Sequence, residues 1–184
     1  MTENLYEELR ALVGKEISPA TGVDDVCKQM IRHWCEAMED ANPMYTNEEY
    51  AKKSKYGSII APPTMVQAWS FGPLWPNGQD LFYRHPERLQ KKELTPPEIA
   101  MQKLEKAGFA GSLATNTTMD FFRPLFPGDA VIQSAKLSDI TPEKKTGTGV
   151  GHFITLTNTY TNQKGELICR QSFTFFKFKP PQTQ

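Results

Sequence analysis

The chain has 184 residues, 39% of them hydrophobic and 23% charged, which fits one domain with a single good core. Its 21 basic residues balance 21 acidic ones, so neither nucleic acid nor an anionic membrane is expected as the main partner. No apolar run approaches a membrane span, the charged start is unlike a signal peptide, and Cys27, Cys35 and Cys169 lack C-x-x-C spacing, so disulfides and zinc are not expected. A reducing cytoplasm is the expected compartment.

Leu5, Leu9 and Leu12 recur at helical spacing and predict a short opening helix. A second helix starts at Asp24 or Asp25, either of which can cap it, and carries Val26, Met30, Ile31, Trp34 and Met38. It ends before Pro43, because the residue preceding a proline is pushed out of the α region. A short helix follows over 47–55 and stops at Gly57. Residues 58–61 are apolar and extended, and Pro62-Pro63 opens a helix with Met65, Val66 and Trp69 on one face. Residues 72–97 read as an extended loop rich in Pro, Gly and aromatics, and a last helix over 97–107 ends at Gly108.

The second half reads as strands over 115–122, 130–140, 149–161 and 166–179, the last two joined by the turn Asn162-Gln163-Lys164-Gly165. Helices followed by an antiparallel meander predict an α+β fold. The sheet needs an apolar cover, and the Met65–Trp69 helix is the best candidate for it. A sheet wrapped around one central helix is the hot-dog architecture. No internal repeat is visible, so a single such domain is expected over 1–184.

Three stretches of the first half carry a resemblance: Ile31-Arg32-His33-Trp34, then 39–45 (EDANPMY), then 57–65 (GSIIAPPTM). Later come Ala107-Gly108-Phe109, Ala114-Thr115-Asn116, 123–129 (RPLFPGD) and 176–180 (FKFKP). Together they resemble the MaoC-like dehydratases, a hot-dog family that includes R-specific hydratases. More narrowly they are similar to the N-terminal domain of the larger subunit of heteromeric steroid-side-chain enoyl-CoA hydratases. The resemblance runs from about Leu12 to Pro180. Large subunits of that kind commonly continue into a second, OB-like domain, which is expected here to be absent or to sit on another polypeptide.

Hydration of an enoyl-thioester needs a base for water, an acid near the α-carbon and donors for the developing enolate oxygen. The resemblance implies an Asp and a His five residues apart for the proton work, in a pattern like Gly-Asp-x-Asn-Pro-x-His. Here Asp40 and Asn42 are present and the His position holds Tyr45. A tyrosine titrates near pH 10 and a histidine near 6.5, so Tyr45 is the poorer acid. The plain reading of the same residues is that Asp40 caps the Asn-Pro turn and Tyr45 is a half-buried aromatic. Competent relatives also start the central helix after a His-Gly pair, whose Gly N–H helps bind the thioester oxygen. The matching positions are Pro62 and Pro63, and proline has no N–H to offer. Locally, the same pair is simply a good helix start.

These departures imply a degenerate site in a chain that shapes the pocket for a catalytic MaoC-like subunit, acting on a bulky, steroid or bile-acid side-chain acyl-CoA. Pro63, Thr64, Trp69, Trp75 and Phe82 are expected to line the acyl pocket, the last three supplying aromatic surface. Arg123, Lys144, Lys145 and Lys177 are candidates for the CoA phosphates, although each is by default a solvated surface cation. No cofactor or metal is expected, the CoA thioester being the substrate. Two alternatives stay open: a self-sufficient homodimeric dehydratase using Asp40, and a non-enzymatic acyl-thioester binding module.

Overall fold

A computed structural model describes residues 2–72, 85–88 and 94–180. Four long antiparallel strands form the frame: β2 (Gly111–Phe121), β3 (Val131–Ile140), β5 (Gly149–Asn162) and β6 (Leu167–Lys179). Two short strands complete the sheet. β1 (Glu16–Thr21) pairs antiparallel with β3, and β4 (Lys144–Thr146) folds onto the start of β5. The path across the sheet is β1-β3-β5-β6-β2, so β1 and β2 are its two edges.

The four long strands sit where alternation of β-branched and aromatic residues predicts them, with β2 starting four residues earlier. On β5 and β6 the side chains opposite one another on the covered face are Ile154 and Phe175, Leu156 and Phe173, Asn158 and Gln171, and Tyr160 and Cys169. β1 has no counterpart in the sequence reading. Its burial follows no alternation and Pro19 lies in its middle, at a register break between Ile17 and Ala20, which suits an edge and hides the strand from pattern.

The helices cover one face of the sheet in two groups. α1 (Thr2–Arg10) and α5 (Pro96–Lys106) meet the sheet through Leu9, Leu12, Ala100, Leu104 and Phe109, packed on Leu137, Ile140, Ile154 and Phe175. α5 begins at Thr95, whose backbone N–H and hydroxyl both donate to the Glu98 carboxylate, at 2.9 and 2.8 Å. The second group holds α2 (Lys28–Met38), α3 (Pro43–Thr46), α4 (Glu48–Lys53) and the chain from Ile59 to Trp69. It buries Ile31, Cys35, Ala51, Met65, Val66 and Trp69 against Val131, Tyr160, Ile168 and Cys169.

Three expectations need correcting. The segment after Pro62 is a five-residue 3-10 turn, Pro63–Gln67, and not an α-helix. Its apolar face is the predicted one, since Met65, Val66 and Trp69 are buried, but so short a cover leaves half of the sheet to α5. Helix α2 starts at Lys28 after Cys27, and neither aspartate caps it. Asp25 instead receives Arg88 at 2.8 Å and His85 at 3.1 Å, anchoring the short turn Pro86–Arg88. Finally, the Asn-Pro stretch is itself one helical turn, α3, capped by the Asn42 side chain accepting from the Met44 N–H at 3.0 Å.

Candidate functional site

A cleft of about 440 Å³ opens where the end of α2 meets the 3-10 turn. One wall is Trp34, Met38, Glu39, Asp40, Ala41 and Tyr45; the other is Pro62, Pro63 and Thr64. The termination of α2 builds the first wall. Glu39 adopts a left-handed conformation, φ 52°, and the Asp40 N–H then reaches back to the Cys35 carbonyl at 2.9 Å. This reversal turns Asp40 out of the helix line and toward the cleft. Its Oδ1 accepts from the Asn42 N–H at 3.0 Å, so the carboxylate closes an Asx-type turn while still lining the cavity. Asn42 caps α3, and the single turn of α3 carries Tyr45 back to face Asp40.

Burial, and after it the Asp40 carboxylate, push the Tyr45 phenol above its ordinary value of 10.0; the side chain of Asn42 pulls weakly the other way. A phenol made less acidic than usual is a poor proton donor at neutral pH. Burial likewise raises the Cys35 thiol behind this wall, with Asp40 adding to the effect, which disfavours its thiolate. On the second wall Pro63 is the first residue of the 3-10 turn. Neither Pro62 nor Pro63 carries an N–H, and that lip of the cleft therefore lacks two backbone donors.

The structure thus gathers Asp40, Asn42, Tyr45, Pro63 and Thr64 at one place. Trp69 is elsewhere: it is buried in the core, and its indole Nε1 has no hydrogen-bond partner among the described residues. Trp75 and Phe82 lie outside the described residues. The cation candidates are scattered. Arg123 is held by Glu166 at 3.0 Å, with Asp129 at 3.7 Å, bracing the turn before β3. Lys177 has a side chain only 3% exposed and pairs with Glu105 at 2.8 Å, an internal tie between β6 and α5 and not a surface contact for phosphate. Lys144 and Lys145 pair with the beginning of β5, whereas Tyr160, in the cluster beneath the cleft, is near its end. Nine residues of strand separate Gly151 from Tyr160, about 30 Å at strand spacing.

Sequence reasoning missed Trp34 and Met38, which it counted in the core stripe of α2. Met38 is 62% exposed at the cleft, and an apolar stripe that runs to the last residue of a helix gives no sign of where the core stops. It also missed Lys28 and Arg32, which border a smaller concavity, about 260 Å³, on the other side of Tyr45. Among the described residues no cluster of His, Cys, Asp and Glu could hold a metal ion, and no helix is long and apolar enough to cross a membrane.

Residues 11–171 match the model of the FAS1-like dehydratase domain region. The chain belongs to this family. It is a FAS1-like dehydratase region of MaoC-like, hot-dog architecture. It is 36% identical over 184 residues, 99% of its length, to a probable enoyl-CoA hydratase alpha subunit of Thermomonospora curvata. It is 32% identical over 166 residues, 88% of its length, to the 3-oxo-4,17-pregnadiene-20-carboxyl-CoA hydratase alpha subunit of Mycobacterium tuberculosis. This dehydratase region spans about half of each of those relatives, 54% and 48%. Among solved structures it is similar to a chain of the ChsH1-ChsH2 complex from Mycobacterium tuberculosis, with a TM-score of 0.83 and 28% identity over 100% of this chain and 96% of that one. A MaoC-like dehydratase from Rhodospirillum rubrum shares the fold, with a TM-score of 0.58 and 21% identity over 92% and 94% of the two chains.

Proposed function

We propose that this chain is a subunit of a heteromeric enoyl-CoA hydratase for bulky acyl thioesters, shaping the pocket while a second hot-dog subunit performs the proton transfers. One observation carries the reading: Pro63 forms the lip of a cleft whose opposite wall is the Asp40–Tyr45 pair. The cleft keeps the place of an active site and has lost two of its working parts. An oxyanion donor alone is worth on the order of 100- to 1000-fold in rate. A phenol raised above its usual value replaces the proton carrier beside it.

Two further features support the division of labour. The cleft of about 440 Å³ at the Pro63 lip opens between Asp40–Tyr45 and Pro62–Thr64 and is the place available to an acyl group. Edge strand β2 presents Leu113 and Phe121 at 49 and 42% exposure, with Phe122 just after it at 54%, an edge for another hot-dog sheet to continue. The relatives named as alpha subunits, and the similarity to a chain of a two-component complex, support a heteromeric assembly. A self-sufficient homodimer is the second reading, favoured by Asp40 lining the cleft with an intact carboxylate.

Hydration of crotonyl-CoA and of a steroid enoyl-CoA separates the two. The purified chain alone is expected to turn over either thioester at least about 1000-fold more slowly than its complex with the catalytic hot-dog subunit. Asp40→Ala in the complex is expected to lower the rate less than about threefold. Ordinary turnover by the chain alone, abolished by Asp40→Ala, would overturn the proposal in favour of the homodimer.

A further inference from the structure

One wall of the cleft consists of Pro62, Pro63 and Thr64. Neither proline has a donor on its backbone or its side chain, so every proton this wall can offer a ligand belongs to Thr64. Thr64 is exposed, and its hydroxyl makes no hydrogen bond among the described residues.

Other hydroxyls in or just after the helical turns of this layer are spent. Thr46 donates to the Asn42 carbonyl at 3.2 Å, Ser54 to that of Ala51 at 2.7 Å and Ser70 to that of Gln67 at 2.9 Å. Each reaches three or four residues back along its turn, the usual local partner of a small hydroxyl side chain. Thr64 has no such carbonyl behind it. Pro62 stands at ψ 131°, so the chain is extended up to the residue before the 3-10 turn. The first hydrogen bond of that turn, from the Met65 N–H to the Pro62 carbonyl at 2.9 Å, starts beyond Thr64. The prolines that take two donors from the lip therefore leave a third one unspent. Branching at Cβ restricts the Thr64 side chain to few rotamers, which limits the directions its hydroxyl can take.

The facing wall has the opposite character. The Asn42 N–H engages one oxygen of the Asp40 carboxylate, and the other is left as an acceptor on the cleft. A carbonyl oxygen is repelled by such an oxygen and accepts from a hydroxyl, so it is favoured on the Thr64 side. A mostly apolar site with a few fixed polar groups sets a ligand's orientation in this way. Resting on the acyl-thioester reading above, we infer that the Thr64 hydroxyl donates to the thioester carbonyl oxygen and positions it at the lip. The contact is equally strong in the bound substrate and in the transition state. It lowers KM and leaves kcat to the groups of the second subunit.

The test uses the complex with the catalytic subunit and the two enoyl-CoA thioesters of the hydration assay. For each, the CoA thioether with a methylene in place of the carbonyl is measured as a competitive inhibitor. Thr64→Val keeps the shape and removes the hydroxyl. It is expected to raise KM about three- to tenfold, the size of one net hydrogen bond, with kcat and thioether inhibition both within twofold of the wild type. Thr64→Ser keeps the hydroxyl and is expected to hold KM within twofold of the wild type. An unchanged KM in Thr64→Val overturns the inference. So does a Thr64→Ser variant as weak as Thr64→Val, which would make the methyl group the working part. Equal weakening of thioester and thioether overturns it as well, being the mark of a general change in the cleft. A wild-type complex that binds neither compound sinks the acyl-thioester reading itself, whereas binding that Thr64→Val leaves untouched sinks this inference alone.

Discussion

The two edges of the sheet differ in length and in proline, although both carry a register break, β2 between Ala114 and Asn116. β1 is six residues long, broken in register between Ile17 and Ala20, and carries Pro19 in its middle. β2 is eleven residues long, exposed along nearly its whole length, free of proline, and ends at Phe121 with Phe122 next after it. Proteins blunt edges they do not use with short length, proline and bulges, and β1 has all three. Leaving β2 bare is tolerable only if something covers it. The asymmetry makes β2 the edge at which the proposed partner subunit is to be sought.

The largest expected effect tests that asymmetry directly. Phe121→Asp combined with Phe122→Asp is expected to weaken association with the catalytic subunit by more than 100-fold, since two aromatic anchors carry about 2 kcal/mol each at an interface. Ala20→Asp, a charge on the other edge, should leave association within twofold. Size-exclusion chromatography with light scattering reads both, and equal effects would abolish the distinction between the edges.

The interior shared by both edges supplies the next test. Burial, and then the neighbouring Cys169, push the Tyr160 phenol up to about 12 from 10.0; burial, and then Asp120, push the Cys169 thiol up to about 11 from 9.0. Both groups hold their protons more tightly folded than unfolded. Their contribution is therefore complete below pH 9 and is lost as pH rises through 11 and 12. For Tyr160 the loss amounts to about 2–3 kcal/mol. Urea unfolding across pH 8–12 should show this fall, and Tyr160→Phe should remove its upper part. A flat profile would mean that this part of the sheet is open to water.

The smallest effect concerns neither edge. Glu39 stands at φ 52°, where glycine fits without strain. Glu39→Gly is expected to raise stability by about 0.5–1 kcal/mol, measured by urea unfolding, with association at β2 unchanged. A gain that came with weaker association would tie the cleft wall to the interface.

How much of this was legible in the sequence depends on how local each signal is. The long strands declare themselves by alternation over ten or more residues, and α5 by an apolar stripe between prolines and a glycine. Over five residues, the spacing of Met65, Val66 and Trp69 fits a 3-10 turn as well as an α-helix, so the wrong kind of cover was expected. Asp25 looked like a cap because its real partners, His85 and Arg88, are 60 residues or more away in sequence. At the site, Asp40, Asn42 and Tyr45 could be grouped because they share one turn, and Pro63 and Thr64 because the family pattern aligns them. Lys177 could not be judged from sequence: its pairing with Glu105 spans 72 residues.

The prolines at the lip carry one more consequence. Pro62 holds φ −49° and Pro63 follows it into the turn, so two consecutive residues have almost no backbone freedom to lose. A ligand arriving there orders nothing and bends nothing, which removes one of the entropic costs of association. Such a rim acts as a gauge of fixed width. On the proposed acyl-thioester reading it would sort acyl groups by girth before any hydrogen bond is made, and a poor fit should show in faster dissociation, with little change in the rate of arrival.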